Sequence, residues 1–196
     1  MTAEEMELVE RLDLMQRMID QGRQSTQRWG WTFLTWGVAY YVAIAWSVYG
    51  QTWFAWPVTM IAASIFTGVR ASRGKRNQPN TTIGRALSAV WVVTGIALFV
   101  VLMSAGMSGR ADLHMAVTIA GALLAVANGI SSFILRWKLQ FVCALAWLAT
   151  AVSACFTNDI ATEVISLAAI FLCQIVFGAY MMVLESRRRG RGAVHA

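Results

Sequence analysis

Six runs of the chain contain no aspartate, glutamate, lysine or arginine: Trp31–Tyr49, Trp53–Val69, Ala86–Gly106, Leu113–Leu135, Leu139–Phe156 and Val164–Leu184. They are 19, 17, 21, 23, 18 and 21 residues long. At about 1.5 Å of rise per residue, such runs match a hydrocarbon core about 30 Å thick. In lipid every backbone N–H and C=O must find its partner within the protein, and a helix provides this inside one segment. The expected fold is therefore all-α: a polytopic integral membrane protein with six transmembrane helices in three hairpins. Pro57 falls near the start of the second run, where a missing N–H costs little.

Composition agrees with lipid as the main solvent. Hydrophobic residues make up 58% of the chain and charged residues 13%, where a soluble domain carries roughly 25% charged. The pieces outside the runs reach at most 30, 16 and 12 residues. Soluble domains below about 40 residues rarely hold a core without disulfides or metal. The expected organisation is a cytoplasmic amphipathic helix and linker over 1–30, the bundle over 31–184 and a basic tail over 185–196.

Lysine and arginine fix the expected orientation. With the N-terminus in the cytoplasm, fifteen of the sixteen basic residues lie inside and only Arg110 lies outside, as the positive-inside rule requires. The tail then ends in the cytoplasm too. Trp29, Trp31, Trp91 and Trp137 fall at the inner headgroups and Trp53 and Trp56 at the outer ones, while Trp36, Trp46 and Trp147 are expected to pack between helices. The N-terminus, MTAEEMELVE, is acidic and is not expected to be a cleavable leader. A bacterial cytoplasmic membrane suits these features. The net charge of +6 belongs to topology and anionic lipid, and no nucleic-acid partner is expected.

Residues 2–21 have the pattern of an amphipathic helix. Thr2 and Glu5 make a capping box, Leu8, Leu12, Met15 and Ile19 form an apolar stripe widened by Val9 and Met18, and Gly22 suits the end. Six of the ten acidic residues of the chain are here. Helices that lie on membranes are usually basic, because the cytoplasmic leaflet is negative. An acidic helix is directed instead toward the protein's own basic loop or another protein, unless it is only a solvated lead-in to the first run. Leu8, Leu12, Met15 and Ile19 are its candidate docking face.

Within the runs, the chemistry is sparse. No ionisable residue is expected at mid-depth, which argues against proton pumping or voltage sensing. Asn128 and Gln174 are the amides expected there, either hydrogen-bonded between helices or lining a solute path. Gly121, Ala125 and Gly129 form a small-residue stripe that admits a close helix, with an internal partner favoured over a second protomer. Asp112, His114, Asp159 and Glu163 come from neighbouring outward turns. These residue types bind cations, but carboxylates at helix starts also stabilise the positive helix end. Cys143, Cys155 and Cys173 are expected as reduced thiols; Cys143 and Cys155 stand about 18 Å apart on one helix and cannot bridge. The two histidines, His114 and His195, fall on opposite sides. No catalytic residue, metal site or cofactor is expected, and the chain is not expected to be an enzyme.

Two functions remain in view. The leading one is a non-catalytic accessory, sensory or regulatory subunit that docks a cytoplasmic or membrane partner, with a homo-oligomer also open. The alternative is a small transporter or channel subunit for a neutral or weakly polar solute.

Overall fold

The computed structural model describes residues 7–12, 30–50, 54–74, 82–110 and 112–193. Among them there is no strand. Helices α1 (Gly30–Gly50), α2 (Ala55–Gly74), α3 (Thr82–Met107), α4 (Leu113–Leu135), α5 (Lys138–Ala154) and α6 (Asp159–Ile170) follow in order. A π-helical stretch, Phe171–Val176, then leads without a break into α7 (Phe177–Ala193). Residues 7–12 are helical as well. Thr2, Glu5, Met15, Met18, Ile19 and Gly22, all parts of the expected N-terminal helix, lie outside the described residues.

Among the described residues, three helices are long and apolar enough to cross a membrane: Ile83–Met107, Leu113–Leu135 and the rod Asp159–Arg187. This is consistent with an integral membrane protein. Lys138–Ala154 is apolar but only 17 residues long. Helix α1 carries no charge, yet its tryptophans, tyrosines and glycines dilute its aliphatic content, and α2 ends with Arg70 and Arg73. Helices also extend past the apolar runs, since charge marks the edge of an apolar stretch and not the end of hydrogen bonding. Arg85 lies inside α3. The final rod begins at Asp159, five residues before the expected Val164, because Asn158 caps it by accepting from Ala161 N at 2.9 Å.

Local signals set the α4–α5 turn. Asp112 caps α4, accepting from Met115 N at 2.6 Å; such a cap contributes about 1 kcal/mol. The helix ends where Arg136 turns left-handed at φ 49° and ψ 43°. Trp137 N then donates to Ser132 O at 3.0 Å, and α5 starts at once. Trp137 turns inward and its ring lies 5.5 Å from Phe177. Phe177 meets Phe33 edge-on at 5.3 Å, and Phe33 meets Trp91 at 5.2 Å. This aromatic chain ties the α4–α5 turn, α7, α1 and α3 together. Each such pair contributes about 0.5–1.5 kcal/mol beyond its buried area.

Close backbone approach does the rest. A Cβ on Gly178 would lie 2.9 Å from Gly30 O and 2.9 Å from Leu34 N, and one on Gly37 would lie 2.9 Å from Gln174 Cβ. Helices α1 and α7 are thus antiparallel neighbours joined along small residues. Helix α1 also runs antiparallel to α2, with Tyr40 near Trp56 at 6.3 Å and Trp31 near Phe66 at 6.4 Å. The most extensive interface is between α4 and α5. Helix α3 is the opposite case: only 6% of its apolar window is buried, and Val92, Val93, Ile96, Phe99 and Val100 are exposed. A surface of that kind belongs against lipid or another protein.

Candidate functional site

The described polar side chains gather in two places. The first is the end of the bundle where α4 begins, α5 ends and α6 begins. His114, in the first turn of α4, places Nδ1 2.7 Å from Ala154 O and Nε2 2.7 Å from an Asp159 carboxylate oxygen. Ala154 closes α5, so its carbonyl has no partner further along that helix. A carbonyl and a carboxylate both only accept. Both ring nitrogens can donate together only in the imidazolium form. The negative end of α5 and the Asp159 carboxylate both favour that charge. Thr162 Oγ1 lies 3.4 Å from Nδ1 and 2.7 Å from Thr157 Oγ1. Beside the ring is a cavity of about 480 Å³, lined by Asp112, His114, Met115, Thr118, Ile119, Ala154, Cys155 and Thr157.

The four residues picked out in the sequence thus divide. Asp112 caps α4. His114 and Asp159 pair across two helices. Glu163 lies exposed one turn further along α6. Among the described residues no three His, Cys, Asp or Glu side chains stand together in a way that would hold a metal ion.

The second place is the α4–α5 interface. Gly121 fits against Trp147 O and Ala151, where a Cβ would meet each at 3.0 Å. Gly129 has more room, with Ala144 Cβ at 3.9 Å the nearest atom to a Cβ placed there. Ala125, between them, is buried. The stripe therefore serves α5, and its tight point is Gly121. These two contacts show that α4 and α5 run antiparallel. Four buried polar side chains of α4 and α5 have unpaired atoms: Asn128 through Oδ1, Ser131 through Oγ, Gln140 through both amide atoms and Trp147 through Nε1.

The expected bond between Asn128 and Gln174 is not made. Asn128 Nδ2 donates to Leu124 O of its own helix at 2.8 Å. Gln174 is buried in the π stretch and packs against Gly37 of α1. Of the deep tryptophans, Trp147 is buried as expected, whereas Trp46 is exposed. At the other end of the chain, Leu8 and Leu12 of the candidate docking face are exposed; Met15 and Ile19 lie outside the described residues.

Sequence reasoning missed three features. Gln140 was detectable, since it is a lone amide in a charge-free run. Cys143 and Cys173 are neighbours, with Cys173 Sγ 3.9 Å from Cys143 O, although they are 30 residues apart. The π stretch has no sequence signature.

Fold and site together define a helical chain with three membrane-length apolar helices and a histidine clasp at one end. No family model, no curated protein and no solved structure matches it.

Proposed function

We propose that this chain is a six-span protein of a bacterial cytoplasmic membrane, with both termini inside, acting as a non-catalytic accessory or regulatory subunit. Its N-terminal helix docks a cytoplasmic or membrane partner. One observation carries the reading: residues 7–12 form a helix in which Leu8, Val9 and Leu12 are 63%, 55% and 53% exposed. On the same segment Arg11 and Glu7 bond each other at 2.6 Å. Exposed apolar side chains on a charged helix outside the spans suit a surface completed by a partner. The six negative charges of residues 2–21 favour a basic one.

Deleting residues 2–21 tests this. Insertion and folding are expected to survive, because the topology signals lie in the spans and their flanks. Co-purifying partners and regulatory output are expected to disappear. An unchanged set of partners with unimpaired output overturns the docking reading.

A second reading, a transporter or channel subunit for a neutral or weakly polar solute, draws on the π stretch. π turns recur at functional sites, this one holds Gln174, and the unpaired Asn128 Oδ1 and Gln140 amide lie on α4 and α5. Solute flux in proteoliposomes that survives the 2–21 deletion favours it.

A further inference from the structure

We propose that the His114 clasp is an external proton-sensing site, and that the continuous rod from Asp159 to α7 passes its state to α1 and so to the N-terminal helix. The proposal rests on the regulatory reading above and names its stimulus.

The clasp has two states by its chemistry. Charged, His114 has two N–H groups for two acceptors, Ala154 O on α5 and the Asp159 carboxylate on α6, each at 2.7 Å. Neutral, it has one. A lone pair then faces an oxygen at a distance where only a donor is tolerated, and one bond must be given up. The bond to Ala154 is the one retained, since that carbonyl belongs to a helix packed firmly on α4 at Gly121 and Ala151. Asp159 is 83% exposed and turns to water at little cost. The start of α6 is released.

Other groups facing the ring do not replace the missing proton. Asp112, before α4, adds negative charge and is engaged with Met115 N. The Cys155 thiol, at the end of α5, lies 3.7 Å from Thr118 Oγ1. From α6, the Thr162 hydroxyl reaches only Nδ1, at 3.4 Å, the nitrogen that keeps its proton for Ala154 O, and not the Nε2 that faces Asp159. The clasp is thus closed while His114 is protonated and Asp159 ionised, and it opens as pH rises through the titration of His114.

The route inward is covalent and packed. Helix α6 continues through the π stretch into α7 without a break. Gln174 of that stretch packs on Gly37, Tyr41 of α1 donates to Leu167 O of α6 at 2.8 Å, and Gly178 abuts Gly30. Gly30 is the first residue of α1 and follows Ile19, the last residue of the docking face, by 11 positions in the sequence. Backbone fitted this tightly moves together or separates.

Amide hydrogen exchange of the full-length protein in lipid nanodiscs tests the proposal, with rates corrected for intrinsic pH dependence. As pH rises through the titration of His114, protection of residues 159–166 is expected to fall by about tenfold. Residues 30–37 are expected to loosen with them. H114Q is expected to show the open pattern at every pH. D159N keeps an acceptor oxygen without the charge and guards against a folding defect in H114Q; its response is expected to be weaker than wild type. Exchange in wild type that ignores pH, or a pH response that persists in H114Q, overturns the sensing site. Opening at 159–166 with no change at 30–37 overturns the transmission. A clasp that responds while deletion of residues 2–21 leaves all partners bound keeps the proton site and removes the docking reading.

Discussion

A methyl group added at Gly178 would stand 2.9 Å from two backbone atoms of α1, Gly30 O and Leu34 N. Neither atom can move without the helix. One added at Gly129 would find only Ala144 Cβ, at 3.9 Å, an ordinary contact. The two glycines look equivalent as letters in an apolar run, but their neighbours separate them. Gly178→Ala is expected to lower stability by about 1–3 kcal/mol through overpacking. Gly129→Ala is expected to be harmless, or to add up to about 1 kcal/mol through helix propensity. Thermal unfolding of both variants in one detergent measures the contrast. Equal losses would mean that α1 and α7 do not approach as described. The same reasoning applies to Gly37, where the obstacles are Gln174 Cβ and Ile175 Cγ1, each at 2.9 Å.

Among the elements, the last rod is the unusual one, because its hydrogen bonding widens for six residues, Phe171–Val176, before returning to α-helix. A π stretch of this kind behaves as one residue inserted into an α-helix, with the flanking faces kept in phase. Removing Leu172, an exposed residue in the stretch, is expected to restore a plain α-helix and leave α7 facing α1. Removing Ala179 from α7 instead would turn everything beyond it by about 100°, at 3.6 residues per turn. The first deletion is expected to yield a monodisperse protein in detergent and the second an aggregate; the reverse order would mean that the stretch sets the phase of α7. Nothing in FLCQIV announces this, since its hydrophobicity suits either helix. What sequence does announce here is chemistry that acts within a few residues. Asp112 at the start of α4 and the small stripe from Gly121 were both readable, and so was the mixture of His114 and carboxylates at one pair of turns. Their pairing was not, because the bond from His114 to Asp159 spans 45 residues and depends on how three helices end together.

For the whole molecule, the proposed orientation rests on the distribution of arginine and lysine, and thiol labelling checks it. With Cys143 and Cys173 replaced, native Cys155, which is exposed beside the clasp, is expected to react with a membrane-impermeant reagent added outside intact cells. In a cysteine-free background Gln51→Cys is expected to react as well, and Gln78→Cys only after lysis. Labelling of Gln78→Cys in intact cells would invert the topology. The contact between Gly30 and Gly178 has a consequence for how the protein is made. The α4–α5 pair can close soon after α5 leaves the ribosome, for it needs only itself. The small-residue groove of α1 is synthesised well before its mate in α7, for Gly178 follows Gly30 by 148 residues. Until α7 is made, that groove is without its mate. A chain stopped before α7 therefore leaves that groove of α1 unclosed, and closure of the first described long helix waits on a segment made long after it.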